Sequence, residues 1–156
     1  MKILIVFYSR TNTTKKIAEE LGNKLGAAVE ELKDNKNWSG PLGYMGAGWA
    51  AVAGKLVDLK EHKYDPANYD LIIIGTPVWA GRMTPAVRTY IKEHKQYFKK
   101  AAFFTTQGVA KRQRVFDNLK DLTGKEPVAE LMLRTKEVAR NEYAEKIDNF
   151  INIISK

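Results

Sequence analysis

The residues best placed to do chemistry are the hydroxyls of Ser9, Thr11, Thr13 and Thr14, which share six consecutive positions with Arg10 and Asn12. They stand where a strand gives way to a helix, so the first backbone N–H groups of that helix lack intrahelical partners. Hydroxyls and free N–H groups around a positive helix end suit a phosphate. The competing reading is that Thr11 or Thr13 simply caps the helix, which needs only one hydroxyl. Taken alone, the run supports both. It lacks the spaced glycines and Gly-Lys-Ser/Thr ending of a P-loop, and it does not match G-x-G-x-x-G.

Two further loops carry candidates of a different kind. One is Thr76, Pro77, Val78, Trp79, Ala80 and Gly81, followed by Arg82 and Met83. A tryptophan in a loop with proline and glycine is more suited to binding than to filling a core. The other is Thr106, Gln107 and Gly108, at the end of an apolar run.

The elements that must position these loops follow from hydrophobic spacing. Ile3 to Phe7, Asp70 to Gly75 and Ala101 to Thr106 are short, nearly continuous apolar stretches, read as strands buried on both faces. Ala27 to Leu32 and Val128 to Leu133 read as two further strands, the first toward an edge because it carries Glu30 and Glu31. Ile17, Ala18, Leu21 and Leu25 recur at helical spacing. Thr84-Pro85 opens a second helix, and a third runs from Val115 to a stop at Gly124. Asn141 to Ile154 forms the closing helix. The long connection from Lys33 to Asn68 must hold a helix of its own, placed near residues 43 to 57, whose aromatics, Trp38 and Trp49 among them, could cover a flat ligand but are expected rather to anchor it to the sheet. Strands alternating with helices predict an α/β fold: a doubly wound, mostly parallel, five-stranded sheet with helices on both faces. In such sheets ligands sit beyond the carboxyl ends of the strands, where the three candidate loops would meet.

Composition narrows the chemistry. A chain of 156 residues is expected to form one domain. It has no cysteine, which rules out disulfides, thiolate metal sites and cysteine nucleophiles. Ser9 has no G-x-S-x-G elbow. His62 and His94 are expected to be solvated, and carboxylates do not cluster as metal ligands. No side chain is therefore assigned as catalytic, no metal is expected, and the reactive centre must come with a cofactor. No signal peptide or membrane span is predicted, which implies a cytoplasmic protein. The net charge of +8 is spread over most of the predicted helices, so nucleic acid is not expected as a partner.

At Ile5-Val6-Phe7, Ser9, Asn12, Thr14, Ala18 and Leu21 the chain resembles the flavodoxin family, with Asn12 standing where that family has a small residue such as glycine. Asparagine tolerates a positive φ, so the turn is expected to survive the change. The run Gly75 to Gly81, ending in Thr-Pro-Ala-Val-Arg, resembles the flavin-ring loop of the same family and of related flavoprotein quinone reductases. The resemblance implies the strand order 2-1-3-4-5, with FMN as the cofactor. It places the phosphate at Ser9, Arg10, Thr11, Asn12, Thr13 and Thr14. The ring falls against Thr76, Pro77, Val78 and Trp79, and the Ala80-Gly81 peptide near flavin N5. Thr106, Gln107 and Gly108 take the pyrimidine edge. Thr105 to Gly108 has no aromatic for the second ring face, which leaves that face open or covered by Trp49, Tyr44 or a partner.

The implied function is electron transfer between redox partner proteins. The alternatives are an FMN-dependent oxidoreductase acting between NAD(P)H and a quinone-type acceptor, and a flavin-free interaction module. The basic chain implies partners with acidic docking surfaces. Arg10 and Arg82 are the cations expected near the ring.

Overall fold

The structure, a computed structural model, describes residues 1–156. Five strands form one sheet in the order β2-β1-β3-β4-β5: β1 is Ile3–Phe7, β2 Ala28–Glu31, β3 Leu71–Pro77, β4 Lys100–Gln107 and β5 Glu130–Arg134. All four pairings are parallel, with Ile5 opposite Val29 on one side and Ile73 on the other. Helices α1 (Thr13–Leu25), α2 (Gly40–Val52), α3 (Pro85–His94), α4 (Val115–Thr123), α5 (Thr135–Ala139) and α6 (Ala144–Ile154) supply the connections and the end. This is the doubly wound order that the flavodoxin resemblance implies.

Alternation along β1 divides the core into two layers. Ile3, Ile5 and Phe7 pack with Ile17 and Leu21 of α1 and with Ile147, Phe150 and Ile154 of α6. Leu4, Val6 and Tyr8 pack on the other face with Val87, Tyr90 and Ile91 of α3 and with Phe116 and Leu119 of α4. Both faces of the central strands are thus dry, which explains runs such as Leu71 to Ile74 that read as continuous rather than alternating hydrophobics. Gly75 is required where it stands: a Cβ there would lie 2.1 Å from Cζ of Phe104, whose ring crosses the backbone of β3.

Three elements differ from the sequence expectation. Helix α2 spans Gly40–Val52 rather than 43 to 57, because Pro41 sits in its first turn, where the missing N–H costs nothing. It ends before Gly54, which takes a positive φ of 69°. The closing helix begins at Ala144, since Asn141 at φ 56° interrupts the turn before it. Helix α5, unforeseen, is a five-residue turn after β5 in which the Arg134 amide donates to Oε2 of Glu137 at 2.8 Å. No helix is long and apolar enough to cross a membrane.

Candidate functional site

Because every strand runs the same way, the loops after β1, β3, β4 and β5 emerge at one edge of the sheet. There they enclose a cleft of about 240 Å³ lined by Arg10, Thr11, Thr13, Thr14, Pro77, Val78, Trp79, Thr106, Gln107 and Gly108, with Tyr44 and Thr135. Ten of the expected site residues therefore face one space.

The wall made by residues 9 to 14 is built on a left-handed residue. Asn12 takes φ 64°, ψ 1° as the residue before α1, the conformation that asparagine tolerates best after glycine. Its side chain does not cap the helix, and the first turn of α1 holds no acidic residue. Ser9 Oγ accepts from the Lys15 amide at 3.2 Å, whereas Thr11 and Thr13 pair only with each other, at 3.4 Å. The Thr13 and Thr14 amides take no side-chain acceptor, so the positive end of a thirteen-residue helix opens into the cleft. Thr14 Oγ1 is buried and lies 2.8 Å from Thr106 Oγ1, which ties the first loop to the third.

The opposite wall is aromatic. Trp79 is half-buried, with Tyr8 edge-on at 5.6 Å and Trp38 at 5.7 Å. Burial, with Asp34 adding, pushes the Tyr8 phenol up to about 12, so it stays neutral. The Arg10 guanidinium lies 4.4 Å from the centroid of the Tyr44 ring and 5.5 Å from that of Trp79, and it donates to the Trp38 carbonyl at 2.6 Å. A cation thus sits between two aromatic faces at the mouth of the cleft.

Beyond Trp79 the chain reverses tightly. The Trp79 and Arg82 backbones exchange hydrogen bonds of 2.9 and 3.0 Å around Ala80 at φ 49° and Gly81 at φ 78°. Both central residues have positive φ, and for alanine that costs about 1–2 kcal/mol. The turn holds its strained Ala80-Gly81 peptide at an apex. Gln107 is buried, and its amide donates to the carbonyls of Val109 and Lys111, both at 2.8 Å, which fixes the third loop.

Five expected residues do not line this cleft. Ser9 faces an adjoining cavity of about 490 Å³, Ala80 a small one beside Arg10 and Tyr44, and Gly81 the far side of its turn near Gln113. Asn12 contributes through backbone shape alone. Thr76 is buried beneath the loop, where its hydroxyl accepts from the Thr84 amide at 3.2 Å.

Other expectations are corrected. Arg82 points away from the cleft and donates to Asn118 on α4 at 3.0 Å, because its turn directs it toward that helix. Trp38, just ahead of α2, packs against the core, but Trp49 is 63% exposed, with Lys55 Nζ 5.0 Å above its ring. His62 and His94 are partly buried against each other and Tyr90 rather than solvated, because the connection after α2 folds onto α3. Thr135 was not foreseen, although the parallel-sheet rule that located the other loops applies equally to the end of β5.

Comparison with known proteins agrees with this fold. A family profile described as a flavodoxin domain matches residues 47–148. The solved flavoprotein from Lactobacillus acidophilus NCFM in complex with FMN is 25% identical, with a TM-score of 0.69 over 89% of this chain and 97% of that one. The NMR structure of the apo-form of the flavoprotein from the same organism gives 23% identity and a TM-score of 0.63, covering 85% and 91%. Oxidised flavodoxin 1 from Bacillus cereus shares the fold at 15% identity and a TM-score of 0.57, covering 99% and 98%. No curated protein matches the chain.

Proposed function

This chain belongs to the flavodoxin family, and from that premise we propose that it binds FMN in the cleft and passes electrons between redox partners. The observation that carries the reading is the open N-terminus of α1, which meets the Trp79 loop and residues 106 to 108 in one space. Thr11, Thr13 and Thr14, with the free amides of the first turn, would hold the phosphate. Trp79, Pro77 and Val78 would bound the ring, the Ala80-Gly81 peptide would face its reactive edge, and the 106–108 backbone would take the pyrimidine edge. Ser9, Asn12 and Thr76 act one step back, by shaping the loops that carry these groups. FMN supplies one- and two-electron redox chemistry when bound.

The chain's own contribution is orientation, water exclusion and charge. Arg10 is the cation over the Trp79 ring, so it, and not Arg82, is placed to stabilise added negative charge, by about 1 kcal/mol for a screened contact. Tyr44 lies across Arg10 from Trp79 and is the side chain of α2 placed to cover the second ring face. With a net charge of +8, partners with acidic docking surfaces are favoured, and salt should weaken their encounter.

A second reading, an FMN-dependent oxidoreductase, draws on the adjoining cavity of about 490 Å³, which shares Arg10 and Thr11 with the cleft and could admit a nicotinamide or quinone. Titration with FMN, followed by flavin fluorescence, tests binding: saturation in the wild type and weakening in Thr13→Val and Trp79→Ala are expected. A colourless protein without FMN affinity sinks both readings and leaves an interaction module. Anaerobic stepwise reduction, followed by visible absorbance, then separates them. Electrons taken singly support the carrier, and electrons taken in pairs, with NAD(P)H consumed in the presence of a quinone, support the oxidoreductase.

A further inference from the structure

The only two histidines of the chain lie 32 positions apart, at 62 and 94, yet they meet away from the cleft. His62 comes from the connection between α2 and β3, and His94 is the last residue of α3. Their rings stand 5.1 Å apart over Tyr90, and Glu93 adds its carboxylate beside His94. One donor atom from each of His62, Glu93 and His94 lies within 4.8 Å of the other two.

We propose that these three residues bind one divalent transition-metal cation of the Zn²⁺ class, with a fourth position open to water. Two observations beyond proximity support this. Nε2 of His94 is shielded from solvent and has no hydrogen-bond partner, and its nearest carboxylate oxygen, from Glu93, is at 3.9 Å, too far for a hydrogen bond. Such an orphaned nitrogen is costly unless something coordinates it.

The second observation is the support behind His62. Glu30 is 7% exposed, and its carboxylate accepts the amides of Lys63 at 2.6 Å and Tyr64 at 3.1 Å, which pins the segment carrying His62. The same carboxylate stands 4.0 Å from His62 Nδ1. At that distance Glu30 does not hydrogen-bond the ring; it fixes the backbone on which His62 is carried to His94. Tetrahedral coordination at about 2.0–2.1 Å draws the donor atoms to roughly 3.3 Å apart. Exposed Glu93 can rotate to bring its own carboxylate to that spacing. Two imidazoles and one carboxylate select zinc, copper or nickel over calcium and magnesium, which prefer all-oxygen shells. The bound cation would clip the α2–β3 connection to α3.

The test uses the full chain after EDTA treatment and dialysis, titrated with Zn²⁺ by calorimetry. One equivalent should bind and raise the unfolding temperature, and affinity should fall at least tenfold in His94→Asn and in His62→Asn, the latter guarding against misfolding of the former. Cu²⁺ as a spectroscopic probe should show nitrogen hyperfine structure from two imidazoles. Absence of saturable Zn²⁺ binding, affinity unchanged in both variants, or a Cu²⁺ spectrum without two nitrogens would each overturn the site. FMN titration of the same variants should be unchanged, which separates this site from the cleft.

Discussion

Helices α1 and α2 are both thirteen residues long and both follow strands at one side of the sheet, but they use their apolar residues in opposite ways. In α1, Ile17, Ala18 and Leu21 are fully buried, and charged residues face water. In α2 the buried side chains are small, Ala47, Ala50 and Ala51, while Leu42, Met45, Trp49 and Val52 are more than half exposed. Apolar composition therefore does not by itself mean burial. The inward face of α2 is made of small residues, and its large apolar residues are left on the outside. One helix is organised by the core; the other is organised by the cleft beside it, where Tyr44 emerges.

The largest expected effect breaks this contrast most directly. Ile17→Ala should cost about 2–5 kcal/mol in urea unfolding, because a fully buried side chain leaves a cavity. Leu42→Ala, at 84% exposure, should stay within about 0.5 kcal/mol. Equal losses at the two positions would show that the outer face of α2 is covered in solution.

Gly43→Ala probes how α2 meets the cleft. A Cβ at Gly43 would lie 2.6 Å from the carbonyl carbon of Trp38, and backbone cannot yield as a side-chain tip can. A cost of about 1–3 kcal/mol is expected. Since Trp38 packs on Trp79, the variant should also shift tryptophan fluorescence, and an unchanged spectrum would uncouple α2 from the Trp79 loop. Gly46→Ala is the control on the same helix. Its nearest atom would be at 4.0 Å, so removal of a helical glycine should stabilise by about 0.5–1 kcal/mol.

The same contrast explains what could be read from the residues. β1, β3 and β4 were legible because burial on both faces leaves unbroken apolar runs, and α1 because its stripe has the helical period. The bounds of α2 were not, because a helix apolar on both sides has no period, and Gly40-Pro41 reads as an interruption when it is in fact a first turn. In the cleft, Thr11, Thr13, Thr14 and Trp79 were legible from side-chain chemistry alone. The direction of Arg82 was not, since it depends on the backbone turn at Ala80-Gly81. The meeting of His62 with His94 is a tertiary event set by Glu30 and the connection it pins, and nothing in the local pattern of either histidine announces it.

Charge sharpens the comparison at its smallest scale. No charged residue occurs from Trp38 to Gly54, so α2 brings no charged group of its own to its packing. α1 is tied to β2 by Lys15, whose Nζ lies 3.1 Å from Glu31, and Lys33 reaches the same carboxylate at 2.6 Å. Burial pushes the Glu31 carboxyl up, but hydrogen bonds from Lys33 and Lys15 outweigh it and hold its pKa below the ordinary value. A folded pKa below the unfolded one means the unfolded chain binds the proton more readily. The stabilisation is therefore complete above about pH 4.5, the unfolded range, and is lost as pH falls through the lowered folded value. Both lysines are substantially exposed, so Glu31→Gln should cost no more than about 1 kcal/mol at pH 7. The cost should shrink in unfolding curves taken at successively lower pH and should fade in high salt. A Glu31→Gln deficit that persists unchanged into acid would place the stabilisation in packing, and α1 would then have no electrostatic tether to β2.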